Sequence, residues 1–310
     1  MTTQYKIIEK KNLWFTLSLL FICAGLSMML KRGINSTDIL NYGIDFKGGS
    51  NLMLKFNSLE NSYQSNPQTP KKEINTLFIK KLRNHLKQNT LEKSDIQVTN
   101  YNEVIIKTNL LTNKKSENLL ERLEEEYGNI EVLEIDFIGP SIGTELKQKS
   151  IWIIVIVSLA LLFYISWRFE FIFGIAALIG VLHDALITVS YASFTNMEIN
   201  TAFVAAILTV LGYSINDTIV IFDRIRENIK LYPEENIKEI TNLSLNQTLP
   251  RTINTSLTTL LVIVALLIFG GTTIKAFTTV LLIGIVSGTY SSLFVASPIL
   301  ARYYRKKESQ

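Results

Sequence analysis

The sequence predicts a membrane-embedded, all-α bundle of six helices, interrupted after the first by one α+β domain. Three observations predict it. Six apolar stretches each reach the roughly 20 residues needed to cross a hydrocarbon core of about 30 Å. They are unevenly placed, one near the N-terminus and five in the second half. Between the first two lies a polar segment, 31–149, where helical and alternating hydrophobic patterns take turns. The 310 residues are 47% hydrophobic and only 19% charged, less charge than a soluble domain of this size carries.

The first span is read at 13–30. Lys6, Lys10 and Lys11 precede it, as in a signal peptide. The apolar run exceeds the roughly 7–15 residues of a signal core and no A-x-A-like site follows, so it reads as a retained anchor. Cys23, the single cysteine, lies within it and reads as a small packing residue. The residues before it, Leu20, Phe21 and Ile22, do not suit a lipoprotein signal.

Within 31–149, residues 51–56 alternate as a strand. Residues 58–70, rich in Asn, Ser, Gln and Pro, read as a loose loop. Residues 71–88 have helical spacing, with Ile74, Leu77, Phe78 and Leu82 on one face. Residues 96–99 and 104–107 form a hairpin joined near Tyr101 and Asn102. A helix over 116–127 carries Leu119, Leu120 and Leu123, and 130–137 is a last strand. This βαββαβ order is that of the ferredoxin-like split arrangement.

Spans 2 to 6 are read at 150–167, 171–194, 199–222, 252–269 and 276–301. The charged connection 223–250 holds a possible surface helix over 233–245, and Pro250 suits a helix start. Small residues at packing intervals, Ala176 with Gly180 and Gly284 with Gly288, allow close helix approach. The domains are therefore 1–30 (N-terminus and first span), 31–149, 150–301 (spans 2 to 6) and the tail 302–310. The formal charge of +4 does not point to nucleic acid, because Lys and Arg flank spans rather than interleave with exposed aromatics. They crowd the N-terminus, the loop after span 4 (Arg224, Arg226, Lys230, Lys238) and the tail (Arg302, Arg305, Lys306, Lys307). Both termini are then cytoplasmic. The long loop 31–149 translocates regardless of its charge, which makes it periplasmic in a bacterium with two membranes.

The chemistry is expected from polar groups at membrane depth, where a charge costs about 2.5–3.5 kcal/mol on insertion scales. Asn216 and Asp217 interrupt span 4. A carboxylate removed from water holds a proton more readily, and a nearby guanidinium opposes this. Arg251, opening span 5, lies near the depth Asp217 reaches. A changing Asp–Arg distance would link protonation to helix movement; the alternatives are a structural ion pair and a snorkelling Arg251. His183 and Asp184 sit mid-span 3 and point in different directions on a helix. They extend a proton path or fix packing. A metal site is not expected, since the only other histidine, His85, lies in the polar segment. There is no nucleophile, metalloprotease or nucleotide-binding motif, so the chain reads as a non-enzyme without cofactor, driven by an ion gradient or a partner. Gly43, Asp45, Gly48 and Gly49 read as a tight turn into the first strand.

Four segments together resemble a known family: GIDFKGG at 43–49, HDALIT at 183–188, GYSINDTIVIFDRIRE at 212–227 and NQTLPRTINTSLTT at 246–259. The chain resembles the SecF branch of the SecD/SecF family of bacterial protein-export subunits, within the resistance–nodulation–division superfamily. The resemblance runs from the N-terminus to the tail. It implies pairing with SecD, a related six-span subunit, as halves of a pseudo-symmetric bundle in the inner membrane. It also implies association with SecYEG, SecA and YajC, and use of the proton gradient in late steps of preprotein export. By motif match, Asp217 and Arg251 fall on positions implicated in proton coupling. Two other classes stay open: a stand-alone superfamily exporter of lipids or small molecules, and a non-transporting assembly scaffold.

Overall fold

The computed structural model describes residues 5–35, 38–88, 91, 94–99 and 102–304. The chain forms two compact units: Tyr42–Lys149, and Met1–Asn41 with Ser150–Gln310. Tyr101 of the expected hairpin turn, and Arg305, Lys306 and Lys307 of the basic tail, lie outside the described residues.

The first unit begins with a four-residue helix, α2 (Ile44–Lys47), which follows α1 (Lys11–Asn35) of the other unit. The expected tight turn at Gly43 and Asp45 is thus one helical turn that ends at two glycines. Gly48 (φ 75°) and Gly49 (φ 143°) adopt conformations that L side chains avoid. A Cβ on Gly49 would also sit 2.6 Å from the Thr108 carbonyl oxygen. From there run β1 (Gly49–Phe56), α3 (Asn57–Ser65), α4 (Lys71–Gln88), β2 (Asp95–Val98), β3 (Glu103–Thr108), α5 (Asn113–Tyr127) and β4 (Ile130–Ile138). The sheet order is β2-β3-β1-β4, with every neighbouring pair antiparallel. Alternation along β1 sends Leu52, Leu54 and Phe56 inward, against Val104 and Ile106 of β3. Ile74, Leu82 and Leu86 of α4 and Leu119, Leu123 and Tyr127 of α5 cover that face. Burial pushes the Tyr127 phenol up to about 12, with the neighbouring Glu126 adding to it.

Two expectations change here. Residues 57–65 are helical rather than loose, because Leu59 and Tyr63, one turn apart, both pack on the core. Leu77 is exposed, and the inward row of α4 is instead Ile74, Phe78, Leu82 and Leu86 at four-residue spacing. We expect Leu54→Ala, which opens a cavity at a wholly buried position, to destabilise the sheet unit by about 2–5 kcal/mol. Pulse proteolysis of the purified full chain across a urea series checks this; an unchanged midpoint would contradict the core assignment.

Among the described residues six helices are long and apolar enough to cross a membrane. After α1 come α6 (Pro140–Arg168, which crosses the unit boundary), α7 (Phe171–Thr195), α8 (Thr201–Leu231), α9 (Ile237–Phe269) and α10 (Thr272–Ser291). A π-helical segment, Ser292–Ala296, joins α10 to α11 (Ser297–Tyr303) within the sixth span. Half or more of the apolar window is buried in α7 and α8 (50% each) and in the last span (61%), against 6–17% for α1, α6 and α9. These three helices form the inner part of the bundle. They approach closely at the predicted small residues: a Cβ on Gly288 would lie 2.8 Å from Ser214 Cβ, and one on Gly284 would strike the Val210 side chain.

The connection read at 223–250 is mostly helix. α8 runs on to Leu231 and α9 begins at Ile237; Ile225, Ile240 and Leu245 are buried there, and Asn228 of α8 donates to Ser244 and Gln247 of α9 at 2.8 Å each. Pro250 is consequently inside α9 rather than at its start, so its missing N–H weakens that helix just before Arg251. The N-terminal segment is pinned to α9, with Asn242 Oδ1 accepting from the Ile7 and Ile8 amides at 3.0 Å each. Cys23 faces outward and is exposed, not packed.

Candidate functional site

Among the described residues two carboxylates are buried within the apolar spans, Asp184 and Asp217, and their surroundings differ sharply. Asp184 on α7 is wholly buried. Its Oδ2 accepts hydrogen bonds from Ser214 of α8 (2.6 Å) and Ser291 of α10 (2.7 Å). Its Oδ1 accepts from Ser287 of α10 (2.6 Å) and contacts His183 Nδ1 at 3.0 Å. Sequence reasoning had these neighbours pointing apart; their side chains turn toward each other and meet. His183 Nε2 continues to Ser18 Oγ of α1 at 2.9 Å. Ser18 lies 3.3 Å from the Tyr290 hydroxyl, which donates to the Trp14 carbonyl at 2.8 Å. One carboxylate thus ties together α1, α7, α8 and α10.

The order Ser18–His183–Asp184 is hydroxyl, imidazole, carboxylate, as in hydrolytic triads. Acyl chemistry needs backbone donors free to hold an oxyanion. All three residues sit mid-helix, where N–H groups are committed to the i−4 carbonyls. The hydrogen bonds of the array run between helices, joining α1, α7, α8 and α10.

Asp217 on α8 is 3% exposed, yet among the described residues its side chain has one hydrogen bond, a long one of 3.5 Å from Ser256 Oγ of α9. Ser256 in turn lies 2.6 Å from Thr289 Oγ1 of α10. Arg251 acts electrostatically on Asp217, but among the described residues no ion pair within 4.0 Å joins them. Arg251 itself is exposed. Asn216, the other polar residue predicted at this depth, points outward and is exposed; a helix turns about 100° per residue, so it cannot share the inward direction of Asp217. Of the predicted residues, the structure brings His183 and Asp184 into one cluster and places Asp217 in a second. Gly43, Asp45, Gly48 and Gly49 belong to the sheet unit and to neither cluster.

Sequence reasoning missed the hydroxyls: Ser18, Ser214, Ser287 and Ser291 around Asp184, and Ser256 and Thr289 near Asp217. The four-residue spacing of Ser287 and Ser291 was the available signal, since it puts both on one face of α10.

A family model described as "Protein export membrane protein SecD/SecF, C-terminal" matches residues 118–306. A protein named Protein translocase subunit SecF from Sebaldella termitidis is 38% identical over 308 residues, covering 98% of this chain and 94% of the relative. A protein of the same name from Dictyoglomus turgidum is 39% identical, covering 94% of each. Among solved structures, the crystal structure of SecDF from Thermus thermophilus, described as a translocon-associated membrane protein, is similar with a TM-score of 0.82 at 32% identity. The match takes in 97% of this chain but 39% of that longer one.

Proposed function

The chain belongs to the SecD/SecF protein-export family, among its SecF translocase subunits, and from that premise we propose that it works with SecD to couple the proton gradient to late steps of preprotein export. The carrying observation is the contrast between the two buried carboxylates. Asp184 is saturated with partners and holds helices together. Asp217 is buried with, among the described residues, one long hydrogen bond and no ion pair. A carboxylate so poorly solvated changes its protonation when its surroundings shift slightly, whereas a saturated one resists change. Asp217 is the exchanging group in this reading. Arg251, within electrostatic reach and in no ion pair among the described residues, favours the charged form when it closes on Asp217.

In this reading both termini are cytoplasmic and the sheet unit stands in the periplasm, an orientation supported by the Lys and Arg flanking the spans. The sheet unit is ferredoxin-like, supported by the β2-β3-β1-β4 antiparallel order and its two crossover connections. The SecD half fits the remainder of the longer SecDF chain that this one matches in part. SecYEG, SecA and YajC are the assembly the pair serves, and unfolded preproteins are its substrate. The exposed side of Asn216, on a central helix, is available to SecD. No cofactor is called for.

The test is complementation. Bacterial cells depleted of their own SecF receive this chain with its matching SecD, and a pulse-labelled secreted precursor is followed to its mature form. Restored maturation is expected. Failure to restore it, with both proteins inserted and associated, would contradict the reading.

A further inference from the structure

Beyond Asp217 itself, the structure offers a route for the proton, and the inference rests on the reading of Asp217 as the exchanging group. We propose that Ser256 and Thr289 form a gated two-hydroxyl relay that carries protons between Asp217 and water on the α9/α10 side. Three helices each contribute one member: Asp217 from α8, Ser256 from α9 and Thr289 from α10. Their convergence depends on Gly288, whose missing Cβ lets α10 approach Ser214 of α8 and so brings Thr289 to Ser256.

The geometry suits a relay better than a static bond. At 2.6 Å the Ser256–Thr289 contact is a strong hydroxyl pair in which either oxygen can donate; Thr289 Oγ1 also donates to the Ile285 carbonyl at 3.0 Å and turns from it when it passes its proton on. A proton wire needs that reversibility, because each hydroxyl must turn round after every passage. Ser256 is buried, while Thr289 is only half-buried and stands at the outer end of the pair. By contrast, the 3.5 Å step from Ser256 to Asp217 is beyond the roughly 2.5–3.0 Å of an effective O–H···O bond. Transfer to Asp217 therefore waits until α8 and α9 close by a fraction of an ångström. Pro250 weakens α9 nearly two turns before Ser256, which gives that closure a place to occur.

The bookkeeping of one release is simple. The Asp217 O–H bond breaks as its proton passes to Ser256 Oγ. The proton Ser256 carried goes to Thr289 Oγ1, and the one Thr289 carried goes to water, which leaves as hydronium. Both hydroxyls are re-formed and the carboxylate is ionised. α8 packs against α7, α9 and α10. The titratable groups on those helices near this depth are His183 and Asp184 on α7, committed to their own cluster, Tyr290 on α10, bonded to Trp14, and Arg251 on α9. None of them touches Ser256 or Thr289 among the described hydrogen bonds, so the relay is a separate path.

The experiment uses the full chain with SecD in lipid nanodiscs. Infrared difference spectra identify the protonated Asp217 band as the one lost in Asp217→Asn, and its growth after a pH jump gives the exchange rate. Ser256→Ala and Thr289→Val, each preserving shape, should slow that rate by about 100-fold while the final amplitude stays, and Thr289→Ser should restore it to within about twofold. Unchanged rates in both hydroxyl-less variants overturn the relay. A wild-type spectrum with no band that Asp217→Asn removes overturns the reading of Asp217, and the relay with it. A fall in amplitude without a change in rate makes the hydroxyls mere supports of the carboxylate and also overturns the relay.

Discussion

Asp217→Asn is expected to leave the subunit inserted and associated with SecD, yet to return precursor maturation to the level of cells lacking the subunit. The expectation follows from how little the native carboxylate is held. Asn has the same shape and keeps an acceptor for Ser256, whose hydrogen bond is already long at 3.5 Å. Among the described residues no ion pair within 4.0 Å joins Arg251 to Asp217, and Arg251 is exposed, so the substitution strands no buried cation. The stability change should stay within about 1 kcal/mol, the scale of one ordinary hydrogen bond. The amide cannot exchange a proton, so only function should fail. Thermal unfolding of the purified variant, pull-down with SecD and pulse-labelled export distinguish these effects. Full export with Asp217→Asn would make the carboxylate structural and favour an assembly scaffold.

Asp184 should behave in the opposite way. Asp184→Ala removes the acceptor shared by Ser214, Ser287, Ser291 and His183. Buried polar groups left without partners cost about 1–3 kcal/mol each. Ser291 softens the loss through its existing bond to the Gly288 carbonyl. We therefore expect a loss of about 3–5 kcal/mol, the range for breaking a buried charged network. It should be visible as a lower melting midpoint and loss of a monodisperse peak in detergent. Asp184→Asn, which keeps an acceptor and lets a serine hydroxyl turn round to accept, should recover part of it. If Asp184→Ala kept its stability and lost only export, the division of labour between the two carboxylates would be reversed.

The six spans were legible because hydrophobic length is a local property that the bilayer makes obligatory. Their ends were not. α8 and α9 run past the apolar stretches, and there they are joined by polar side chains: Asn228 Nδ2 donates to Ser244 Oγ and Gln247 Oε1 at 2.8 Å each, an effect only the folded pair displays. The same contact carries α9 through Pro250, which sequence reasoning placed at its start. In the sheet unit, strand alternation was plain, but α3 was hidden by its polar composition: only Leu59 and Tyr63 face the core.

The candidate site was half legible. Charged groups in apolar spans stand out, so Asp184 and Asp217 were visible. Their hydroxyl partners were not, because most serines and threonines in such helices bond to a carbonyl of their own helix. Thr209, Thr255 and Thr258 do so here. Nothing local separates these from Ser214, Ser256 and Ser287, which reach across to another helix. The outward direction of Asn216 likewise follows from which face α8 buries, and this depends on where α7 and α10 lie.

The most direct test of Asp217 as the exchanging group is proton movement across vesicles that hold this chain and SecD, with a pH-sensitive dye inside and an imposed gradient outside. The account predicts proton flux above that of empty vesicles for the wild type, and flux at the empty-vesicle level for Asp217→Asn. Equal flux from the two proteins would contradict it.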